Sequence, residues 1–142
     1  MVQLLITGHA HFGSGLLSSI KLITGLQNEL TAIDFTESMS ATDLNTELKK
    51  CIENDTEDVL ILTDIPGGTP FNQSVLLKTE MKNRSIEVIA GTNLPLLIEA
   101  VMNKNQESKK LIEHLVTVGS QSISVYEAKR RNTPSENLDE GI

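Results

Sequence analysis

The sequence predicts an α/β fold: a mostly parallel, doubly wound sheet with helices on both faces. Three observations lead there. Short apolar runs of strand length alternate with segments whose apolar residues recur three and four apart, and that alternation demands crossover connections. The run VLILT at Val59–Thr63 is apolar almost throughout, as a strand covered on both faces should be. Aromatic residues make up only 3% of the chain and Trp is absent, so the core has to be built of Leu, Ile and Val.

Each element has its own signal. Val2–Thr7 is the first strand. From Ser14 the spacing changes to Leu16, Leu17, Ile20, Ile23 and Leu26, one face of a helix. Leu30–Phe35 reads as the second strand. Ser40 and Asp43 then form a capping-box pattern ahead of Leu44, Leu48, Cys51 and Ile52. Val59–Thr63 is the third strand. Thr69 and Pro70 suit the cap and first position of the next helix, which carries Phe71, Val75, Leu76 and Leu77. Ile86–Ala90 is the fourth strand. Asn93 caps a helix bearing Leu96, Leu97, Ala100 and Val101. Ser108 caps another, running through Leu111, Ile112, Leu115 and Val116 to a stop at Gly119. Ile123–Tyr126 reads as a fifth strand. Beyond Ala128 the chain turns polar and charged, so residues 1–128 form one domain and 129–142 a flexible tail.

Composition narrows the function. The formal net charge is −7, which disfavours a phosphate backbone and so predicts no nucleic-acid partner. It suits a protein partner with a basic patch. The single cysteine, Cys51, excludes an internal disulfide and fits a reducing compartment. No run approaches the ~20 apolar residues of a membrane span, and the start MVQLLITG lacks the basic region of a signal peptide. A cytoplasmic protein with no direct membrane insertion is the expectation.

In parallel sheets of this kind, ligands gather at the carboxyl ends of the strands. Gly8-His9-Ala10-His11 follows the first strand, Asp34 lies at the end of the second, Asp64-Ile65-Pro66-Gly67-Gly68-Thr69 follows the third and Gly91-Thr92-Asn93 the fourth. His9 and Asp64 are the leading pair. A carboxylate bonded to one ring N–H fixes the tautomer and leaves the other nitrogen a free lone pair, which makes the imidazole a nucleophile. The Gly-Gly turn and the helix start at Gly68 and Thr69 favour an anion, and the helix beginning near Ser14 adds a second such terminus. A phosphoryl group accepted by His9 fits that setting. Bland readings exist for each residue alone: a polar loop histidine, a structural turn, a capping aspartate. Their convergence at matched strand ends is what favours chemistry. His11 either lines the site or caps the first helix. His114, beside Glu113, reads as a solvated surface residue.

Three stretches, LLITGHAHFGSGLLSSIKLITG, VLILTDIPGGTPFNQS and VIAGTNLPLLIEAV, resemble the IIA component of the mannose/fructose/sorbose family of the sugar phosphotransferase system. That family places a histidine after strand one, a D-x-x-G-G-[ST]-P-x-N segment after strand three and a G-x-N-x-P-[ML]-[LV] segment after strand four. All three occur here in order, between Val2 and about Tyr126. The resemblance puts His9 on the phosphorylated histidine, Asp64 on the aspartate that bonds it, Thr69 on the hydroxyl near the phosphoryl group and Asn93 in the loop beside it. It implies a cytoplasmic phosphotransferase component that takes a phosphoryl group from phospho-HPr and hands it to a IIB component. IIB then phosphorylates a mannose-, fructose-, sorbose- or gluconate-type sugar entering through the membrane IIC/IID permease. No cofactor and no metal are implied. The family members resembled are homodimers in which the last strand, antiparallel to the rest, is exchanged between subunits. Two departures, Ala10 where many relatives have Gly and Pro66 where many have an aromatic residue, mark a subgroup apart from the best-known mannose carriers.

Two other readings stay open on the residues alone. One is a receiver-like signalling domain phosphorylated on Asp64, although receivers carry an acidic pair where this chain has Gly8-His9. The other is a small metal-dependent hydrolase using His9, His11 and Asp64.

Overall fold

A computed structural model of the chain describes residues 1–26 and 28–129. The elements run β1 (Val2–His9), α1 (Phe12–Thr24), β2 (Thr31–Phe35), α2 (Ala41–Glu53), β3 (Asp58–Thr63), α3 (Thr69–Glu80), β4 (Ile86–Ile89), α4 (Leu94–Asn103) and α5 (Ser108–Gln121). Among the described residues the strands form one four-stranded sheet in the order β2-β1-β3-β4, with every pair parallel.

The two faces of the sheet are read off the strands by alternation. Leu4, Ile6, Leu60 and Leu62 face α1, α4 and α5, where Ile20, Leu97, Leu111 and Leu115 meet them. Leu5, Val59 and Ile61 face α2 and α3, against Leu44, Leu48, Ile52 and Leu77. Each such fully buried Leu or Ile contributes roughly 1.5–3 kcal/mol. The predicted double winding and aliphatic core are therefore present. No helix among the described residues is long and apolar enough to cross a membrane.

The helix ends follow local chemistry. Ser40 caps α2 through a full capping box: its hydroxyl accepts the Asp43 N–H at 3.0 Å, and the Asp43 carboxylate accepts the Ser40 N–H at 3.0 Å. Asn93 caps α4 by accepting the Leu96 N–H at 3.1 Å.

Four expectations are corrected. β1 continues two residues past Thr7, so His9 closes a strand rather than opening a loop. The cap of α3 is Gly68, and Thr69 and Pro70 are its first two residues. Helix α5 has Glu107 and not Ser108 in its cap position, and it does not stop at Gly119 but runs to Gln121. Gly119 is inside the helix because a Cβ there would sit 2.8 Å from Leu96 Cδ1; it is glycine for contact with α4, not for termination. Finally, Ile123–Tyr126 makes no ladder with any described strand, and Ile123, Val125 and Tyr126 are exposed. Helix α5 delivers the segment without a return beside β4. The predicted tail, 129–142, lies outside the described residues except for Lys129.

Candidate active site

The sheet order places its switch point between β1 and β3. From β1 the chain leaves through α1 to β2 on one side, and from β3 through α3 to β4 on the other. The crevice at the carboxyl ends of two such strands is the usual ligand position of an open α/β sheet. His9 ends β1, and Asp64 follows β3 directly, one residue past the Thr7–Thr63 pairing.

The two side chains meet. His9 Nδ1 lies 2.6 Å from Asp64 Oδ2, and the His9 backbone N–H donates to the same oxygen at 2.9 Å. Asp64 is the more enclosed partner: its side chain is 11% exposed and that of His9 46%. Burial pushes the Asp64 carboxyl upward, but the His9 N–H, the His9 ring, the Ile65 N–H and the His9 charge outweigh it. The net pKa is below the ordinary carboxylate value. An ionised carboxylate only accepts, so in the neutral imidazole Nδ1 carries the proton and Nε2 keeps its lone pair. The Phe35 ring meets the imidazole edge-on, with centroids 5.9 Å apart and planes at 74°. Sequence reasoning missed Phe35. Its signal was available in the IDF run, where it directly follows Asp34 on β2.

The Gly-Gly turn comes against the free edge of that ring. A Cβ at Gly68 would lie 2.8 Å from His9 Cε1 and 3.5 Å from Nε2, so only glycine fits with the ring in place. Gly67 takes φ 81°, which glycine tolerates, and Asn72 Nδ2 donates to its carbonyl at 3.0 Å. Thr69 then opens α3. Pro70 has no N–H, and the Asn72 N–H is used on Gly68 O, so the first turn presents the N–H groups of Thr69 and Phe71.

The second histidine has its own carboxylate. His11 is the cap residue of α1, but its side chain makes no capping bond. Asp34, in register with Gly8 on the neighbouring strand, caps α1 instead. It accepts the Ser14 N–H at 2.9 Å and the Ser14 hydroxyl at 2.6 Å, and its Oδ2 lies 3.1 Å from His11 Nδ1. Burial raises the Asp34 carboxyl, while the Ser14 hydroxyl, the Ser14 N–H and the His11 ring and charge lower it further, for a net pKa below the ordinary value. The α1 terminus is therefore already satisfied by an anion, which leaves α3 as the terminus open to a ligand. Between His9 and His11, Ala10 takes φ 52°, and its N–H donates to Phe35 O at 2.7 Å. A non-glycine residue there stores of order 1 kcal/mol.

His9, Ala10, His11, Phe35, Thr36, Glu37 and Ser38 line an open hollow of about 620 Å³. Asn93 does not line it. Its carbonyl oxygen is used on α4 and its amide donates to Gly119 O at 3.0 Å, and it borders a separate hollow with Gly91 and Gly119. His114 pairs with Glu99 Oε2 at 2.8 Å on the α4–α5 surface, away from the site. Among the described residues no group of three or more His, Cys, Asp and Glu side chains is placed to hold a metal ion. His9 and His11 point their Nδ1 atoms at different carboxylates, so the three-ligand set His9, His11 and Asp64 is not assembled.

The chain is similar to known proteins over most of its length. A family model described as "PTS system fructose IIA component" matches residues 3–116. The sorbose-specific EIIA component of Lacticaseibacillus casei is 30% identical over 140 residues, covering 96% of this chain and all of that protein. The fructose-specific EIIA component of Bacillus subtilis is 29% identical over 142 residues, 98% of this chain and 96% of that protein. Among solved structures, phosphotransferase system component EIIA from Streptococcus agalactiae superposes with a TM-score of 0.83 at 34% identity, covering 88% of this chain and 97% of that one.

Proposed function

We propose a role for each site residue from one premise: the chain belongs to the IIA family of the mannose/fructose/sorbose phosphotransferase systems and is a phosphocarrier component of sugar uptake. In our reading His9 Nε2 is the atom that carries the phosphoryl group. The observation that supports it most is the 2.6 Å contact of Nδ1 with Asp64, which aims the unprotonated nitrogen away from the carboxylate and toward the start of α3.

The mechanism follows. The family implies HPr as donor and a IIB component as acceptor. The phosphorus–nitrogen bond of the donor phosphohistidine breaks as the bond to His9 Nε2 forms, and the donor ring keeps the electron pair. Positive charge grows on the His9 ring, and Asp64 offsets it. The phosphoryl oxygens are received by the N–H groups of the α3 start at Gly68 and Thr69 and by the Thr69 hydroxyl. Positioning and electrostatics supply the whole effect, as in other phosphoryl transfers. Asn93 acts indirectly, by holding the α4 start at the rim. The protein works in the cytoplasm, binds no cofactor and leaves the choice of sugar to the permease. The exposed segment from Ile123 to Tyr126 pairs with a second copy, giving a homodimer with exchanged ends.

Incubation with phosphoenolpyruvate, enzyme I and HPr, followed by intact mass, tests the assignment. The unaltered chain gains one acid-labile, base-stable phosphoryl group and His9→Ala gains none. Asp64→Asn still accepts, more slowly by on the order of a hundredfold, the scale of a mispositioned reactive group. A phosphorylated His9→Ala protein overturns the assignment.

A further inference from the structure

The hollow at His9 has an electrostatic problem. A dianionic group on His9 would border it, yet its one acidic lining residue, Glu37 just beyond β2, adds to the carboxylates of Asp64 and Asp34 that bond His9 and His11. No lysine or arginine is among its lining residues. Helix dipoles do not close the gap on the β2 side, because the α1 terminus is already occupied by the Asp34 carboxylate. One lining side chain other than the nucleophile can become a cation, and it is His11.

His11 is also built to face the hollow in a fixed way. It follows His9 by two residues, which puts their Cα atoms within about 7 Å of each other. Its Nδ1 is held 3.1 Å from Asp34 Oδ2, and Asp34 is itself fixed by two bonds from Ser14. The ring is 80% exposed, so apolar packing does not explain its placement. The arrangement repeats that of His9: the carboxylates of Asp34 and Asp64 flank Gly8 on its two sides, and each takes one imidazole by Nδ1. In both rings Nε2 is the nitrogen left over.

We propose that His11 is the counter-ion of the phosphoryl group: when the group arrives on His9, His11 takes a proton from solvent at Nε2 and donates it as a hydrogen bond to a phosphoryl oxygen, while Asp34 holds the resulting imidazolium in place. This rests on the reading that His9 is the acceptor. Asp34 from β2 bonds His11, and Glu37 from the segment after β2 and His9 from β1 line the same hollow. Transfer onward to IIB releases the proton again, so the proton offsets part of the added negative charge for as long as the group is bound. A phosphoryl oxygen paired with an imidazolium is better stabilised in the transition state, where charge spreads over the equatorial oxygens.

Two measurements on the full chain test this. The first is the rate of phosphoryl acceptance from phospho-HPr by His11→Ala and, as reference, His9→Ala. We expect His11→Ala to be phosphorylated fully but more slowly, on the order of tenfold, the scale of one charged hydrogen bond at an exposed position. His9→Ala stays unphosphorylated. The second is the NMR titration of the histidine rings with and without the phosphoryl group. His11 is expected to titrate at higher pH in the phosphorylated chain, while His114, paired to Glu99 on the far helices, does not move. Acceptance by His11→Ala at the unaltered rate overturns the proposal and leaves the His9 assignment standing. So does a slowed variant whose His11 titration is unmoved by phosphorylation in the parent chain, because the residue is then structural. Phosphorylation of His9→Ala overturns both readings.

Discussion

A methyl group at position 68 would sit 2.8 Å from His9 Cε1, closer than any stable carbon contact. The ring or the α3 start has to move, and the ring is the more exposed of the two. Gly68→Ala is therefore expected to lower phosphoryl acceptance by on the order of tenfold to a hundredfold through displacement of Nε2. Its melting temperature should change far less than its rate; equal loss of fold and rate would refute the explanation. At this scale the sequence was informative about His9, Asp64 and Gly68, since strand ends and a glycine turn are local features. It was blind to Asp34 as the partner of His11 and Ser14. That contact joins residues 20 or more positions apart, and only the register Gly8–Asp34 brings them together.

Helix α1 is capped from a neighbouring strand, so its stability is tied to one carboxylate. The Asp34 pKa is lowered in the folded protein, despite the upward push of burial, by bonds from Ser14 and His11. A folded value below the unfolded one means that the contribution is present above the ordinary carboxylate range, near 4, and is lost as pH falls through the folded value. Asp34→Asn should cost about 1 kcal/mol at neutral pH, the worth of a lost cap. Its melting temperature should also fall less steeply than the parent's between about pH 5 and 3. Identical acid slopes would show that Asp34 is not the group involved. Among the elements, α2 was the most legible, because Ser40 and Asp43 carry their whole cap within four residues. The end of α5 was misread, because a buried glycine against Leu96 and a terminating glycine look the same in one dimension.

At the level of the molecule, Ile123, Val125 and Tyr126 place three exposed apolar side chains within four residues, where Leu22, Ile65 and Met102 are exposed singly. Near them Ile89, Gly91, Leu96, Val116 and Gly119 line a hollow of about 230 Å³ at the β4 side of the sheet. Both features fit the exchange of chain ends between two copies. The intact chain is expected to sediment as a dimer, and a chain ending at Ser122 as a monomer that keeps its helical circular dichroism. A truncated chain that remains dimeric would place the contact elsewhere. The sequence read this segment as a fifth strand, and the segment pairs with no described strand. An apolar run of strand length reports that its side chains suit a pleated surface and not whether any strand lies beside it.

His9 closes a central strand, and its ring and its backbone N–H are both bonded to the carboxylate that follows the next strand in the sheet. The strand that carries this imidazole lies in the middle of the sheet, among the last regions to open in a fold of this type, while the ring itself is 46% exposed. Adjustment during an encounter is therefore left to the imidazole and to whatever docks on it, because the backbone beneath stays with the sheet.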